Sequence, residues 1–325
     1  MLEGYKVLRE LNDGETVTRP VYVSSLEDAK DKNNKSYVKL KLADGDSFQT
    51  ASKFDNYTIE QFKTEGIREG CIADVTVKKS GDYYNVVNIK PTKDPSLTVD
   101  DFAKLPPLDI DNMYDEICDI IRGLPNPVPE RTALSVPTLA LLEEHKDKFK
   151  TSSAAVYMHH NYKGGLIYHT YRMVKAAVAM CGVYQELDRE ILVCATALHD
   201  IGKINEYSTD PVGAAEITDL YVLYGHLYLG AMFFSNKCTQ IKNCDKERQR
   251  LLTHCILSHH GQGEWGAVKF PATPEAFALH YIDNLDAKIE SCNIMYEQTE
   301  AGKNTDKKLS GFGNLYKPSY WDSKE

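Results

Sequence analysis

The stretch ATALHDIGKI, residues 195–204, ends an apolar run with two titratable side chains, His199 and Asp200, placed side by side. The run within residues 188–201 predicts a core helix, so the pair is expected at the carboxy-terminal end of that buried helix. A bound metal ion is one reason to place such groups there, because imidazole and carboxylate are both metal ligands. A chance dipeptide is the alternative, and the rest of the sequence has to decide between the two.

The composition indicates one large domain or two, with an acidic balance. The chain has 325 residues, a formal net charge of −9 and a pI near 5.6. This charge argues against coating nucleic acid by bulk electrostatics but is compatible with a local basic groove. Eight scattered cysteines without a C-x-x-C pair indicate reduced thiols. The charged amino terminus, and apolar runs shorter than the roughly 20 residues of a membrane span, predict a cytoplasmic protein.

Residues 1–95 have the strand pattern of a small barrel. Apolar alternation predicts one strand within 15–29, two strands within 36–54 and a hairpin within 71–90. A short helical segment, 58–66, lies between the third and fourth strands. This order of three strands, a helix and two strands is that of an OB-fold, which commonly binds single-stranded nucleic acid or sugars. Another five-stranded barrel is the alternative.

A linker rich in proline and charge, residues 90–101, separates this barrel from a helical region. We predict an all-α helical bundle over 96–310, because no strand alternation is evident after residue 100, and a tail over 311–325. Helical periodicity indicates seven segments: 109–124, 131–149, 165–182, 188–201, 225–238, 246–259 and 274–297. The aromatic tail suggests an arm that docks on a neighbour, and with it a homo-oligomer.

Nine of the ten histidines lie between residues 159 and 280. Several of them, with two aspartates, fall on predicted helices or at helix ends: His169, His199, Asp200, His226, His259, His260 and Asp283. A helical bundle can direct such side chains to one point. Each residue taken singly is more typical of a hydrogen-bonded core position. Together they predict a site for two divalent transition-metal ions, since nitrogen and oxygen ligands without thiolate suit Mn, Fe, Ni, Co or Zn.

Five segments of the helical region resemble the HD-domain metal-dependent phosphohydrolases: HHNYKGGLIYHTYRM (159–173), ALHDIGKI (197–204), GHLYLG (225–230), ILSHHGQGEWG (256–266) and LHYIDNLDAKI (279–289). More specifically, they are similar to the bacterial YhaM-type 3′→5′ exoribonucleases, in which an OB-fold precedes an HD domain. The resemblance is specific over 157–290 and architectural over 1–95. It implies an HD-family hydrolase that binds two divalent cations, with manganese favoured.

The resemblance implies a role for each candidate residue. One cation would be held by His169, His199, Asp200 and Asp283. Asp200 would bridge to a second cation, held by His226 and by one of the neighbours His259 and His260, of which we favour His259. The implied catalytic residues are Asp200 and Lys203.

Lys203 is interpreted as a phosphate contact or a proton donor to the leaving oxygen, with a solvated loop lysine as the alternative. The implied substrate-binding residues are His159, His160, Lys163 and His254. His254 could also orient a metal ligand, and His280 and Asp286 are interpreted as structural.

The implied reaction is hydrolysis of single-stranded RNA, with DNA as an alternative, from the 3′ end by a metal-bridging hydroxide, which releases nucleoside 5′-monophosphates. A phosphohydrolase or phosphodiesterase acting on mononucleotides or cyclic dinucleotides is the alternative enzyme. The sequence after the histidine pair reads GQGEWG without a GYP, which weakens the cyclic-dinucleotide alternative. A non-catalytic nucleic-acid adaptor is a third hypothesis.

The barrel departs from a strongly basic nucleic-acid-binding OB-fold, because residues 1–100 carry almost as many Lys and Arg as Asp and Glu. Lysines nevertheless fall on or beside its strands: Lys39, Lys41, Lys53, Lys78 and Lys79. Four aromatic residues are available either to stack on bases or to fill the barrel: Phe48, Phe54, Tyr83 and Tyr84.

Overall fold

Two units make up the chain in the computed structural model, which describes residues 2, 4–54, 56–155 and 161–323. One unit comprises Met1–Leu105 with Thr209–Ala214, and the other comprises Pro106–Ser208 with Ala215–Glu325. Each unit contains a hydrophobic cluster of its own. Among the helices of the described residues, none is long and apolar enough to cross a membrane.

The first unit is a closed barrel of five strands in the neighbour order β1-β2-β3-β5-β4. Its elements are β1 Thr16–Lys30, β2 Ser36–Ala43, β3 Phe48–Lys53, helix α1 Ile59–Thr64, β4 Ile72–Ser80 and β5 Tyr83–Pro91. Strand β1 pairs antiparallel with both β2 and β4, and β3 closes the barrel by a parallel contact with β5. The predicted OB-fold is confirmed, because the element order and the closure both agree with it.

Alternating burial produces the barrel interior. Val38, Leu40 and Leu42 on β2 are fully buried, and the residues between them are half-buried on the outer face. Thr58 caps helix α1 in a capping box, and Phe62 of this helix is fully buried in the barrel cluster. The period of two along the strand therefore fills the interior with apolar side chains.

The four aromatic residues singled out in the barrel differ in their exposure to solvent. Tyr83 and Tyr84 are adjacent on β5 and point to opposite faces, so that Tyr83 is 76% exposed while Tyr84 is 8% exposed. Phe54 is exposed, and its ring stacks on that of Tyr37 with 5.0 Å between centroids. Phe48 is half-buried in a small cluster of the first unit. Tyr83 and Phe54 therefore remain accessible, whereas Tyr84 fills the barrel.

The second unit is a helical bundle, as predicted. Its helices are α2 Ile110–Arg122, α3 Ser135–Glu144, α4 Lys146–Thr151, α5 Gly165–Val183, α6 Arg189–Leu198, α7 Lys203–Glu206, α8 Asp219–Leu223, α9 Gly225–Gln240, α10 Lys246–Ser258 and α11 Pro274–Glu297. All seven predicted segments contain a helix, and the segment 131–149 is divided between α3 and α4 at His145.

Helix α6 is the centre of this bundle. Every residue from Glu190 to Leu198 is buried, which is the pattern of a helix surrounded by others. Helices α5, α10 and α11 all pack against it. Helix α6 is buried as far as its last residue, Leu198. His199 and Asp200 follow directly and therefore also lie inside the protein.

The expectation of no strand after residue 100 is wrong in detail, although the helical class of this domain is confirmed. Two two-stranded sheets occur there: β6 Tyr207–Thr209 with β7 Ala215–Ile217, and β8 Asn304–Leu309 with β9 Gly313–Tyr316. Strands β6 and β7 have three residues each and β8 reads NTDKKL, so neither sheet produces a clear apolar alternation. Short polar strands of this kind give no periodic signal.

The carboxy-terminal segment packs on its own chain. Residue 311, where we expected the tail to begin, lies in the turn between β8 and β9. Beyond β9, the Lys317 ammonium donates to the carbonyl oxygens of Tyr296 and Thr299 at 3.0 and 2.9 Å. The Tyr296 hydroxyl donates to the Tyr316 carbonyl at 2.8 Å. These bonds attach the segment to the end of α11.

Candidate metal centre

Helix ends direct the predicted ligands toward one point. His199 follows the last residue of α6, and His259 follows the last residue of α10. His226 is the second residue of α9, whose first residue, Gly225, is in a left-handed conformation with φ 74°. His169 lies near the start of α5 and Asp283 lies inside α11. Five helices therefore contribute to one site, as the sequence predicted for a bundle.

The carboxylate of Asp200 lies between two groups of imidazoles. Its Oδ2 is 3.3 Å from His199 Nε2 and 3.7 Å from His169 Nε2. Its Oδ1 is 3.3 Å from His226 Nε2 and 3.7 Å from His259 Nε2. Asp200 is almost completely buried, at 3% exposure. One carboxylate thus presents a different oxygen to each group.

Two sets of three residues have ligand atoms close enough to hold an ion: His169, His199 and Asp200, and His226, His259 and His260. Within each set these atoms all lie within 4.8 Å of one another. Asp283 joins the first set, because its Oδ1 is 3.4 Å from His169 Nε2. Within the second set, His260 Nε2 lies 3.3 Å from His226 Nε2. The structure therefore brings all seven predicted ligands together.

Several polar atoms of this site have no hydrogen-bond partner in the part of the chain that the structure describes. They are Asp200 Oδ1, His259 Nε2 and His260 Nδ1. Burying such an atom unsatisfied costs about 1–3 kcal/mol, so a native protein rarely tolerates three in one place. Divalent cations would satisfy them, and nitrogen and oxygen donors without thiolate suit a transition metal. The residues present fit a binuclear metal site.

Two acidic residues orient histidines of the site. Asp286 Oδ2 lies 2.8 Å from His169 Nδ1, and Glu206 Oε2 lies 3.0 Å from His226 Nδ1. A carboxylate at Nδ1 places the ring proton there and leaves Nε2 as the lone-pair donor. In both histidines, Nε2 is the atom that faces Asp200.

Main-chain carbonyls orient two further histidines in the same way. His199 Nδ1 lies 2.8 Å from the Thr196 carbonyl oxygen, and His259 Nδ1 lies 2.7 Å from that of Ile256. Each acceptor is three residues earlier, in the last turn of the same helix. The capping geometry thus selects the Nδ1–H tautomer and directs Nε2 toward Asp200.

The charges of the site keep the carboxylate of Asp200 ionised. Burial acts to raise the pKa of Asp200, but the charges of Lys203 and His199 hold it well below its usual range. Burial also acts to lower the pKa of His169, but hydrogen bonds to Asp283 and Asp286 outweigh it and raise the pKa to about 9. A cation held by His169 would take the place of this proton.

His259 and His260 are neutral because burial outweighs the attraction of the nearby carboxylates. Burial, reinforced by His199 and His260, holds the pKa of His259 well below its usual range. Burial and the neighbouring His226 lower the pKa of His260 to about 4. Neutral imidazole is the form that binds metal ions.

Gly202 allows the turn after Asp200 to approach α9 closely. A Cβ on Gly202 would meet the carbonyl oxygen of His226 and lie 2.9 Å from the backbone nitrogen of Gly230. A side chain at this position would therefore separate Asp200 from His226 by pushing the two backbones apart. This contact explains why glycine stands between Asp200 and Lys203 in the sequence.

The remaining predicted site residues differ in their placement. Lys203 Nζ lies 2.7 Å from Asp200 Oδ2, and both line a cavity of about 130 Å³. Lys163 is half-buried in the turn before α5. His254, predicted to bind substrate, accepts a hydrogen bond at Nε2 from the Ala272 N–H at 3.0 Å. His159 and His160 lie outside the described residues.

Sequence reasoning did not predict two contacts of the proposed ligands. Glu206 is not among the predicted site residues and Asp286 is interpreted as structural; each contacts a histidine of the site. Asp286 is three residues after Asp283 and therefore on the same face of α11, which is a signal that spacing could have provided. Glu206 ends the short helix α7, and nothing in its sequence context indicates His226 as its partner.

The fold and this site define an HD-domain protein, and the HD domain family matches residues 166–288. The chain belongs to the family of the YhaM 3′-5′ exoribonucleases. It is 34% identical over 235 residues to YhaM of Bacillus subtilis (strain 168), which covers 72% of each protein. It is also 34% identical over 240 residues to YhaM of Shouchella clausii (strain KSM-K16), again with 72% of each covered. The predicted HD-family enzyme is confirmed.

Solved structures add little to this assignment. Two crystal forms of Rim1, a mitochondrial single-stranded DNA binding protein from S. cerevisiae, are 18% identical and match 26% and 25% of this chain. Each match covers 99% of Rim1, with TM-scores of 0.22 and 0.21. TM-scores this low support no conclusion, so the fold of the first unit is described by its own strand topology.

Proposed function

We propose that this chain is a metal-dependent exonuclease that hydrolyses single-stranded RNA from the 3′ end to nucleoside 5′-monophosphates. Three features support the proposal: the family, the barrel joined to an HD domain, and the buried site around Asp200. Manganese is the proposed metal, with Fe, Ni, Co and Zn as alternatives of similar ligand preference.

The two oxygens of Asp200 carry the proposal. Because Oδ2 faces one histidine group and Oδ1 faces the other, this carboxylate can bind a cation on each side. We assign one cation to His169, His199, Asp200 and Asp283, and the other to Asp200, His226, His259 and His260. When bound, the two cations would activate a water molecule and neutralise charge on the phosphodiester.

Lys203 is proposed as a phosphate contact. Burial acts to lower the pKa of Lys203, but the charge of Asp200 outweighs it and raises the pKa above its ordinary value. A general acid works best when its pKa is near the working pH. An ammonium held charged by Asp200 is therefore better suited to pair with a phosphate oxygen than to donate its proton to the leaving group.

The barrel supports a single-stranded polymer as the substrate. Tyr83 and the stacked pair of Tyr37 and Phe54 offer aromatic surfaces, on which bases of any sequence can stack. Lys53, which precedes Phe54 in the chain, places its ammonium over the ring of Tyr57, with 5.3 Å from Nζ to the ring centroid. Stacking platforms beside cations are typical of proteins that hold single strands.

A substrate panel on the manganese-loaded protein tests the proposal. A 5′-labelled single-stranded oligoribonucleotide should shorten to a ladder from its 3′ end on a denaturing gel. Asp200→Asn should lower the rate by more than about 100-fold, the upper range for loss of a residue that only orients a ligand. Asp115→Asn, a change at an exposed aspartate of α2, is the matched control and should retain full activity.

Three results would contradict the proposal. One is full activity of the Asp200→Asn protein. Another is hydrolysis of mononucleotides or cyclic dinucleotides with the oligonucleotide left intact, which would favour the alternative enzyme. The third is a purified, manganese-dialysed protein that holds no metal, since a scaffold without ions would support a non-catalytic role.

A further inference from the structure

A groove of about 820 Å³ opens beside the candidate metal centre. His260 and Asp283 line this groove and also line the small cavity that contains Asp200 and Lys203. The two spaces therefore share walls, and a molecule in the groove lies next to the proposed cations. We call it the Trp265 groove.

Trp265 is a half-exposed aromatic wall of this groove, with 53% of its surface accessible. Its position is well defined, because its backbone N–H donates to the Gln262 carbonyl oxygen at 3.1 Å and its ring stacks on that of His280, with 6.0 Å between centroids. His280 Nδ1 in turn lies 2.8 Å from the carbonyl oxygen of His259. The indole is thus attached to the segment that carries two proposed ligands.

Phe312 is a second aromatic residue of the groove and is 74% exposed. It lies in the turn between β8 and β9, flanked by Gly311 and Gly313, whose φ angles of 81° and 121° L side chains rarely adopt. Its N–H donates to the Leu309 carbonyl at 2.9 Å. The hairpin therefore exposes the ring of Phe312 to solvent, and packing in the core does not account for a phenylalanine at this position.

A lysine accompanies the exposed ring. Lys288, on α11, places its ammonium 5.2 Å from the centroid of Phe312 and also lines the groove. An aromatic face beside a cation suits a nucleotide, because the base stacks on the ring while the phosphate pairs with the charge. The carboxylate of Asp283 is the acidic group on the wall, and it faces the metal centre.

We propose that the Trp265 groove binds the 3′-terminal nucleoside of the substrate, with its base in contact with both aromatic walls, Trp265 and Phe312, and an adjacent phosphate paired with Lys288. This inference rests on the proposed exonuclease function, which it deepens by naming where the departing nucleotide is held. Stacking on an aromatic face discriminates little between bases, so the groove accepts any of the four.

The test compares oligoribonucleotides that end in a nucleotide with otherwise identical ones that end in a stable abasic residue. Trp265→Ala and Phe312→Ala should each raise KM about 10-fold on the base-bearing substrate, since a base–aromatic stack contributes at this level. Their kcat should change little, because stacking holds the substrate and the transition state alike. On the abasic substrate the same variants should match the unaltered protein.

Two matched variants separate stacking from folding. Trp265→Phe retains an aromatic face and should restore most of the affinity. Phe270→Ala removes another exposed phenylalanine, 68% accessible and not among the groove residues, and should leave both substrates unaffected. Equal losses on base-bearing and abasic substrates, or a loss with Phe270→Ala of the same size, would overturn the proposal.

A binding measurement makes the result independent of catalysis. The chain has two tryptophans, so Trp321→Phe leaves Trp265 as the single indole. Uridine or adenosine 5′-monophosphate should quench its fluorescence, and a ribose 5-phosphate control should not. Quenching in a protein that fails to cleave RNA would refute the proposed function but support the groove, whereas cleavage without quenching or a base-specific KM effect would refute the groove alone.

Discussion

Each unit buries charged groups, and the comparison between them separates a structural site from a binding site. In the barrel, Arg19 and Asp44 are 1% exposed. Arg19 donates to the carbonyl oxygens of Lys6 and Asp44 at 2.8 and 2.6 Å, and Asp44 accepts N–H bonds from Leu8 and Ser47 at 2.7 and 2.9 Å. This buried pair uses its polar atoms within the fold.

In the helical unit, some buried polar atoms of the candidate metal centre are not hydrogen-bonded within the described residues. Asp200 Oδ1 and His259 Nε2 have no hydrogen-bond partner among the described residues, and Asp200 lines a cavity. Burial alone therefore does not distinguish a functional carboxylate from a structural one. The distinction lies in polar atoms that are buried, unsatisfied and directed at a common space, because such atoms lack only a ligand.

The largest expected change comes from breaking the satisfied pair. Arg19→Met preserves much of the side-chain volume but leaves Asp44 buried without its cation, which should lower the free energy of unfolding by about 3–5 kcal/mol. Chemical denaturation followed by circular dichroism measures this change. Metal content should stay unchanged in the protein that remains folded, and a loss below about 1 kcal/mol would contradict the structural role of the pair.

The second change tests whether Asp286 acts through His169. Asp286→Asn weakens the acceptor at Nδ1 and should lower manganese affinity by about 10- to 100-fold, as measured by titration calorimetry. Glu290→Gln is the matched control, because Glu290 shares Arg172 with Asp286, at 2.8 Å in each case, and is not the acceptor of the ring. Equal effects of both substitutions would show that Arg172, rather than the histidine, is the relevant partner.

A smaller and purely structural effect is expected at His254. His254→Ala removes the acceptor for the Ala272 N–H and should reduce the free energy of unfolding by about 1 kcal/mol. Manganese affinity and the rate of RNA hydrolysis should remain within about twofold, less than loss of an orienting residue would give. A specific rise in KM without a change in stability would restore the predicted substrate contact.

The smallest change in the free energy of unfolding is predicted for a substitution of His259, a proposed metal ligand. His259→Met removes a buried, unsatisfied Nε2 but also the bond from Nδ1 to Ile256, so the two effects should nearly cancel. The metal-free protein should unfold within about 1 kcal/mol of the unaltered one, while manganese binding is strongly weakened. Destabilisation as large as that of Arg19→Met would mean that His259 is a structural residue.

The elements of the fold follow closely from sequence patterns. The barrel strands were predicted because their apolar residues alternate, as Val38, Leu40 and Leu42 do, and that alternation is also what fills the barrel. The helical segments were predicted for the same reason with a longer period. The β6–β7 and β8–β9 sheets were missed because three-residue and polar strands carry no period.

The site was predicted less completely than the fold. His199 and Asp200 were evident because polar groups end a buried helix, and the other proposed ligands lie on neighbouring helix ends. The contacts of Glu206 with His226 and of Asp286 with His169 were not predicted, nor was the hydrogen bond that His254 accepts from Ala272. Residue type and spacing indicate which side chains can bind a metal, but not which one orients another.

By itself the sequence determined which of the main helices and strands form and which residue types were available for metal binding, because hydrophobic periodicity and residue chemistry depend on the sequence alone. Only the tertiary structure decided that Asp200 presents one oxygen to each histidine group, which ring nitrogen each histidine directs inward, and that Trp265 and Phe312 line one groove. Those outcomes depend on distances between segments far apart in sequence, which packing alone establishes.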